Sequence, residues 1–173
     1  MTEMNTGTPL ASPGANARRV VVLAISETYS GDGNVVQALI SRLAATPHAA
    51  GIQVVGVRAH PAALVANWRG AETNVIVRQT HLGLHRQGTI KHVQIKPSLR
   101  DAELMAGGRV AEAIALGRAV GRLPRRLVLL TIEGGNVAPR PDLSPELDNA
   151  LDRAVTEIVA LATAGRELPT DRR

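Results

Sequence analysis

The sequence predicts an α/β fold: a three-layer αβα sandwich on a mostly parallel, five-stranded twisted sheet with one antiparallel strand. Three observations point there. Short β-branched runs without polar alternation, such as Arg19-Val-Val-Val-Leu-Ala-Ile25, suit strands covered on both faces. Segments of helical periodicity separate these runs, which gives strand–helix–strand crossovers and hence parallel neighbours. A length of 173 residues with 45% apolar content suffices for the core of one such domain.

Residues 1–17, rich in Thr, Pro, Gly, Ser and Asn, are expected to form a disordered arm. The single domain is placed at 18–164, and 165–173 is read as a flexible tail. After the first strand and the polar turn Ser26 to Gly33, Val35, Val36, Leu39, Ile40 and Leu43 recur at helical spacing up to Thr46-Pro47. Ile52 to Val57 reads as a second strand, Pro61 to Trp68 as a short helix stopped at Gly70, and Asn74 to Val77 as a third strand. Thr80 to Gln87 is a loop. Gly88 to Ile95 alternates, which suits an antiparallel edge closed by Pro97. Asp101 to Val120 is a helix of small residues interrupted by Gly107-Gly108, and Arg126 to Ile132 is another buried strand. The last helix carries the stripe Leu147, Leu151, Val155, Ile158, Val159 and Leu161, with Ser144 as N-cap, Pro145 at the first helical position and Glu146 in the first turn.

Composition closes several function classes. With no Cys there is no disulfide, thiolate metal site or cysteine nucleophile. With no Phe, one Trp and one Tyr, the chain offers little to stack on bases, and its net charge of +5 is spread over dispersed arginines, so no nucleic-acid partner is expected. No run of about 18 apolar residues could cross a bilayer. The expectation is a cytoplasmic protein without a membrane partner.

In an open sheet of this kind ligands gather at the carboxyl ends of the strands, which directs attention to Ser26–Asn34, Arg58–Pro61, Arg78–His81 and Glu133–Asn136. The first turn is neither a G-x-G-x-x-G loop nor a P-loop. His81, His85 and His92 have a metal-like spacing, but Gly83 and the loop character of the segment deny them a common helix face, and no metal site is expected there. His48 and His60 read as surface or turn residues. Ser26 and Ser30 lack the G-x-S-x-G elbow of a nucleophile.

The order of segments resembles the hydrogenase maturation proteases, from about Arg19 to Ala162. The most specific stretch is Gly121-Arg-Leu-Pro-Arg-Arg-Leu-Val-Leu-Leu-Thr-Ile-Glu133, followed by Gly134-Gly-Asn and Leu143-Ser-Pro-Glu-Leu147. Gly70-Ala-Glu through Val75-Ile-Val77 to Gly88-Thr89 is similar to that family's third strand and the turn after it. The resemblance implies a hydrogenase-maturation-protease-like fold and an endopeptidase that recognises nickel while trimming a hydrogenase large subunit. It also implies three metal ligands, and here the chain departs. Where the family's first turn ends in two acids, this sequence has Asp32-Gly33, so the ligand position holds Gly33. Arg78 stands where an aspartate ends the third strand, and counting back from Gly121-Arg-Leu-Pro124 places Ala106 at the third ligand, a histidine in the family. None of the three supplies a donor to a divalent ion.

No cofactor is therefore expected, and the catalytic residues stay unassigned. The cleft candidates are Ser26, Glu27, Tyr29, Asp32, Arg78 and Glu133. Arg78 has two readings, a grip on a small anionic ligand or an internal pair with Asp32. Glu133 has the plainer option of capping the turn before Asn136. Three functions remain open: a non-proteolytic protein that binds a protein or peptide partner, with a hydrogenase large subunit as one candidate; an enzyme reusing the old cleft for different chemistry; and a metal-dependent endopeptidase with shifted ligands among Asp32, Glu27 and Glu133.

Overall fold

The computed structural model describes residues 20–26, 33–47, 51–68, 71–135 and 142–164. In chain order the elements are β1 (Val20–Ser26), α1 (Gly33–Ala45), β2 (Ile52–Arg58), α2 (Pro61–Asn67), β3 (Thr73–Thr80), β4 (Ile90–Ile95), α3 (Ala102–Ala106), α4 (Gly108–Ala119), β5 (Arg126–Glu133) and α5 (Pro145–Ala164). The strands form one five-stranded sheet in the order β2-β1-β3-β5-β4. All neighbours are parallel except β4, which runs antiparallel along β5 from Ile90↔Ile132 to Ile95↔Leu127. The expected fold class is the observed one.

Helices cover both faces. Val20, Val22, Ala24, Val75, Val77, Val128 and Leu130 pack under α1 and α5, whose Leu39, Leu43, Leu151 and Ile158 are fully buried. Val21, Leu23, Ile76, Leu127 and Leu129 face the other way, against Leu64 of α2 and Val110 and Ile114 of α4. This is why β1 reads as an unbroken apolar run: consecutive residues project to opposite faces and both faces are dry. Each such Leu or Ile contributes ~1.5–3 kcal/mol by leaving water.

Local chemistry sets the boundaries. Gly107 (φ 65°) and Gly108 (φ 51°) adopt a backbone that side chains disfavour, and they split the expected 101–120 helix into α3 and α4. Ser144 Oγ accepts the Leu147 N–H at 3.3 Å, the N-cap expected for α5. Asn74, fully buried inside β3, accepts from Trp68 Nε1 and donates to the Val21 carbonyl, both at 3.1 Å, so its amide is used on each side. Two expectations were too short or too long. β3 continues past Val77 to Thr80 because β5 still pairs with it, and β4 starts at Ile90, after Gly88 (φ 77°) and Thr89 have both bonded the main chain of Glu133. The 1–17 arm and the 165–173 tail lie outside the described residues.

Candidate functional site

The chain leaves β1 toward β2 on one side and reaches β3 on the other, so the strand order reverses between β1 and β3. A crevice opens at the carboxyl ends of two strands where their connections diverge in this way. The last pair between them is Ile25↔Arg78; β1 stops at Ser26, while β3 runs on beside β5 to Thr80↔Glu133. Arg78 therefore stands at the lip of the crevice.

Its side chain crosses to the α3–α4 face. Arg78 Nε donates to Thr131 Oγ1 at 3.3 Å, and Nη2 reaches the Ala106 carbonyl at 3.5 Å. Ala106 is the last residue of α3, and its methyl is buried in the core, 2% exposed. Gly33 is the first residue of α1, on the opposite flank of the crevice. A small opening lies between β1, the first turn of α1 and the end of β3, with Val35, Val36 and Val77 among its walls.

Glu133, at the end of β5, is 3% exposed, and its Oε1 accepts the Gly83 N–H at 3.4 Å. Its main chain accepts from Gly88 at 2.7 Å and donates to Thr89 at 2.9 Å. The residue thus fastens the β3–β4 loop to the end of β5. His81 Nδ1 lies 3.0 Å from the Gly135 carbonyl, and Gln87 Nε2 donates to Gly134 O at 3.1 Å, completing that attachment. The histidines point to different places: His81 to the β5 turn, His92 to Glu157 of α5, while His85 is exposed and His60 precedes α2. Among the described residues no group of three or more His, Asp or Glu could hold a metal ion. Ser26 is half-buried beside Arg58 of β2. Glu27, Tyr29, Ser30, Asp32, His48 and Asn136 lie outside the described residues.

No family model matches the chain, and no curated protein does. Solved structures do. HybD, a hydrogenase-maturating endopeptidase from E. coli, superposes with a TM-score of 0.67 at 13% identity, over 85% of this chain and 93% of that one. A hydrogenase 2 maturation peptidase from a Thaumarchaeota archaeon gives 0.62 at 15% identity, over 83% and 97%. The [NiFe] hydrogenase maturation protease HybD from Thermococcus kodakarensis gives 0.57 at 19% identity, over 83% and 99%. The chain has the fold of the hydrogenase maturation proteases.

On this maturation-protease fold, one crevice residue falls within the segment Arg78–His81 without having been singled out by the sequence. Gln79 lines the same opening, is 8% exposed, and its Oε1 has no hydrogen-bond partner among the described residues. Being two residues on from Val77, it projects to the α1 face, opposite to Arg78. Its Nε2 lies 2.0 Å from where a Cβ on Gly134 would stand. The available signal was a polar residue directly continuing the buried run Val75-Ile-Val77, but the strand's length was needed to place it.

Proposed function

We propose that this protein is a metal-free counterpart of the hydrogenase maturation proteases that binds a protein or peptide at the crevice without cleaving it. The observation that carries the reading is the reach of the Arg78 guanidinium to the Ala106 carbonyl. It supports the sequence register in which these two residues stand at ligand positions of one site.

The residues there do not fit nickel or zinc. Such ions need carboxylate, imidazole or thiolate donors. Gly33 has no side chain, the Ala106 methyl is turned into the core, and a guanidinium repels a divalent cation, so no hydrolytic step is routed through a metal. At the lip of the crevice, on the α3–α4 face, stands the Arg78 guanidinium beside the Thr131 hydroxyl and the Ala106 carbonyl that it engages. That combination suits a carboxylate, including the one that ends a peptide. Similarity to proteins whose names describe peptidases acting in hydrogenase maturation makes a hydrogenase large subunit one candidate partner.

Calorimetric titration of untagged protein with cadmium and with nickel tests the metal-free reading. No saturable heat is expected. A one-to-one site of micromolar affinity that persists in a His81→Ala/His85→Ala variant overturns it.

A further inference from the structure

A second surface stands apart from the crevice. Among the described residues β4 is the last strand of the sheet, with no strand paired on its far side. Glu133 N–H donates to the Thr89 carbonyl, and along the ladder Lys91 faces Thr131 and Val93 faces Leu129. Antiparallel pairing alternates between inward and outward main-chain groups, so Ile90, His92 and Gln94 turn their N–H and C=O away from β5, to the open side.

The charge around this edge is one-sided. Residues 81–100 contain Arg86, Lys91, Lys96 and Arg100 and no Asp or Glu at all. All four cations are exposed, and no ion pair among the described residues engages them. Of the carboxylates on neighbouring elements, Glu157 of α5 pairs with His92 and Glu103 of α3 with Arg118 of α4, while Asp101 and Glu146 stand at the margin of the basic patch. Exposed leucines bracket the strand, Leu82 (66%) and Leu84 (72%) before it and Leu99 (47%) after it. The leading loop is held by Glu133, His81 and Gln87, so these leucines are presented from an anchored segment.

We propose that β4 is a docking edge for an extended, acidic peptide segment of a partner protein, which joins the sheet as a sixth strand. An open edge supplies affinity through main-chain hydrogen bonds, while flanking side chains choose the partner. Lysines on an edge disfavour pairing with a second copy of the same strand, since basic faces basic, and favour a strand bearing Asp or Glu. Acidic side chains alternating with apolar ones would meet Lys91 within the strand, while Lys96, just past its end at Ile95, and the bracketing leucines stand at its two ends.

The experiment uses the full chain and a labelled, end-blocked peptide of alternating Glu and Val, with a Lys–Val peptide and a short DNA duplex as controls. The acidic peptide is expected to bind and to slow amide hydrogen exchange at His92 and Gln94 by about tenfold, the signature of strand addition. Lys91→Glu/Lys96→Glu should weaken binding about tenfold. Gln94→Pro removes an outward N–H at a position where an edge tolerates proline, and should abolish binding with the circular dichroism spectrum unchanged. If Gln94→Pro does not fold, the double charge reversal and the exchange data still decide. Binding without protection at His92 and Gln94, equal binding of DNA, or protection that depends on protein concentration in the absence of peptide would each overturn the proposal.

Discussion

Gly134→Ala puts the packing of the crevice under direct test. An ideal Cβ on Gly134 would lie 2.0 Å from Gln79 Nε2, 2.8 Å from Gln79 Cδ and 2.5 Å from His81 Cε1, all far inside van der Waals contact. Gln79 is buried and cannot swing freely, and His81 is tied to the Gly135 carbonyl at 3.0 Å, so the added methyl must displace packed groups. Overpacking of this kind costs about 1–3 kcal/mol. For a chain of this size that corresponds to a fall in Tm of about 2–12 °C. Urea unfolding of the wild type, Gly134→Ala, Gln79→Ala and the double variant closes a cycle, in which relief of the clash should appear as a coupling of about 0.5–3 kcal/mol. The loss that survives without the Gln79 side chain measures the contact with His81. If Gly134→Ala lies within about 0.5 kcal/mol of wild type, or loses the same amount in both backgrounds, the reasoning is refuted.

Asn74→Ala leaves Trp68 Nε1 buried without a partner and removes the side-chain bond to the Val21 carbonyl, and should cost about 1–3 kcal/mol in the same denaturation assay. Gly33→Asp, Arg78→Asp and Ala106→His together should create a cadmium site by calorimetry where no single change does. A folded, metal-free triple variant would show that at least one segment is misregistered, with the buried Ala106 the first to re-examine. Peptides with a free C-terminal carboxylate, at about a hundred times their Kd, should stabilise the wild type by about 2.7 kcal/mol in thermal melts and leave Arg78→Ala unmoved. An Arg78→Ala protein that is much less stable, with no ligand effect in either form, would instead mark a structural ion pair.

The layered fold was legible because its signals are local. Val20 to Ile25 and Leu127 to Leu130 are apolar on consecutive residues, Ser144-Pro145-Glu146 opens a helix by side-chain chemistry alone, and Gly107-Gly108 breaks one. The end of β3 was not legible. The apolar run ends at Val77 and a loop is read from Thr80, yet β5 pairs with β3 through Thr80↔Glu133. Partnership overrode composition there. The crevice followed the same rule: Arg78, Gln79 and Glu133 act through Ala106, Gly134 and Gly83, all far off in sequence, and no periodicity announces such meetings. By sequence Glu133 reads as a crevice residue or a cap before Asn136, and in the structure its carboxylate meets the loop before β4.

α5 touches both halves of the molecule. Asp148 and Asp152 hold Arg42 of α1, with Asp152 at 3.1 Å, while Arg153 donates to the Gly88 carbonyl at 2.6 Å and Glu157 pairs with His92 of β4. Leu147, Ala150, Leu151, Ala154 and Ile158 lie between these contacts and roof the sheet. During synthesis this roof is made after every strand. Until residues 145–164 have emerged, the part of this apolar face that α1 does not cover stays open. Folding of that face must therefore wait for α5, and a nascent chain stalled before it should expose the face to chaperones.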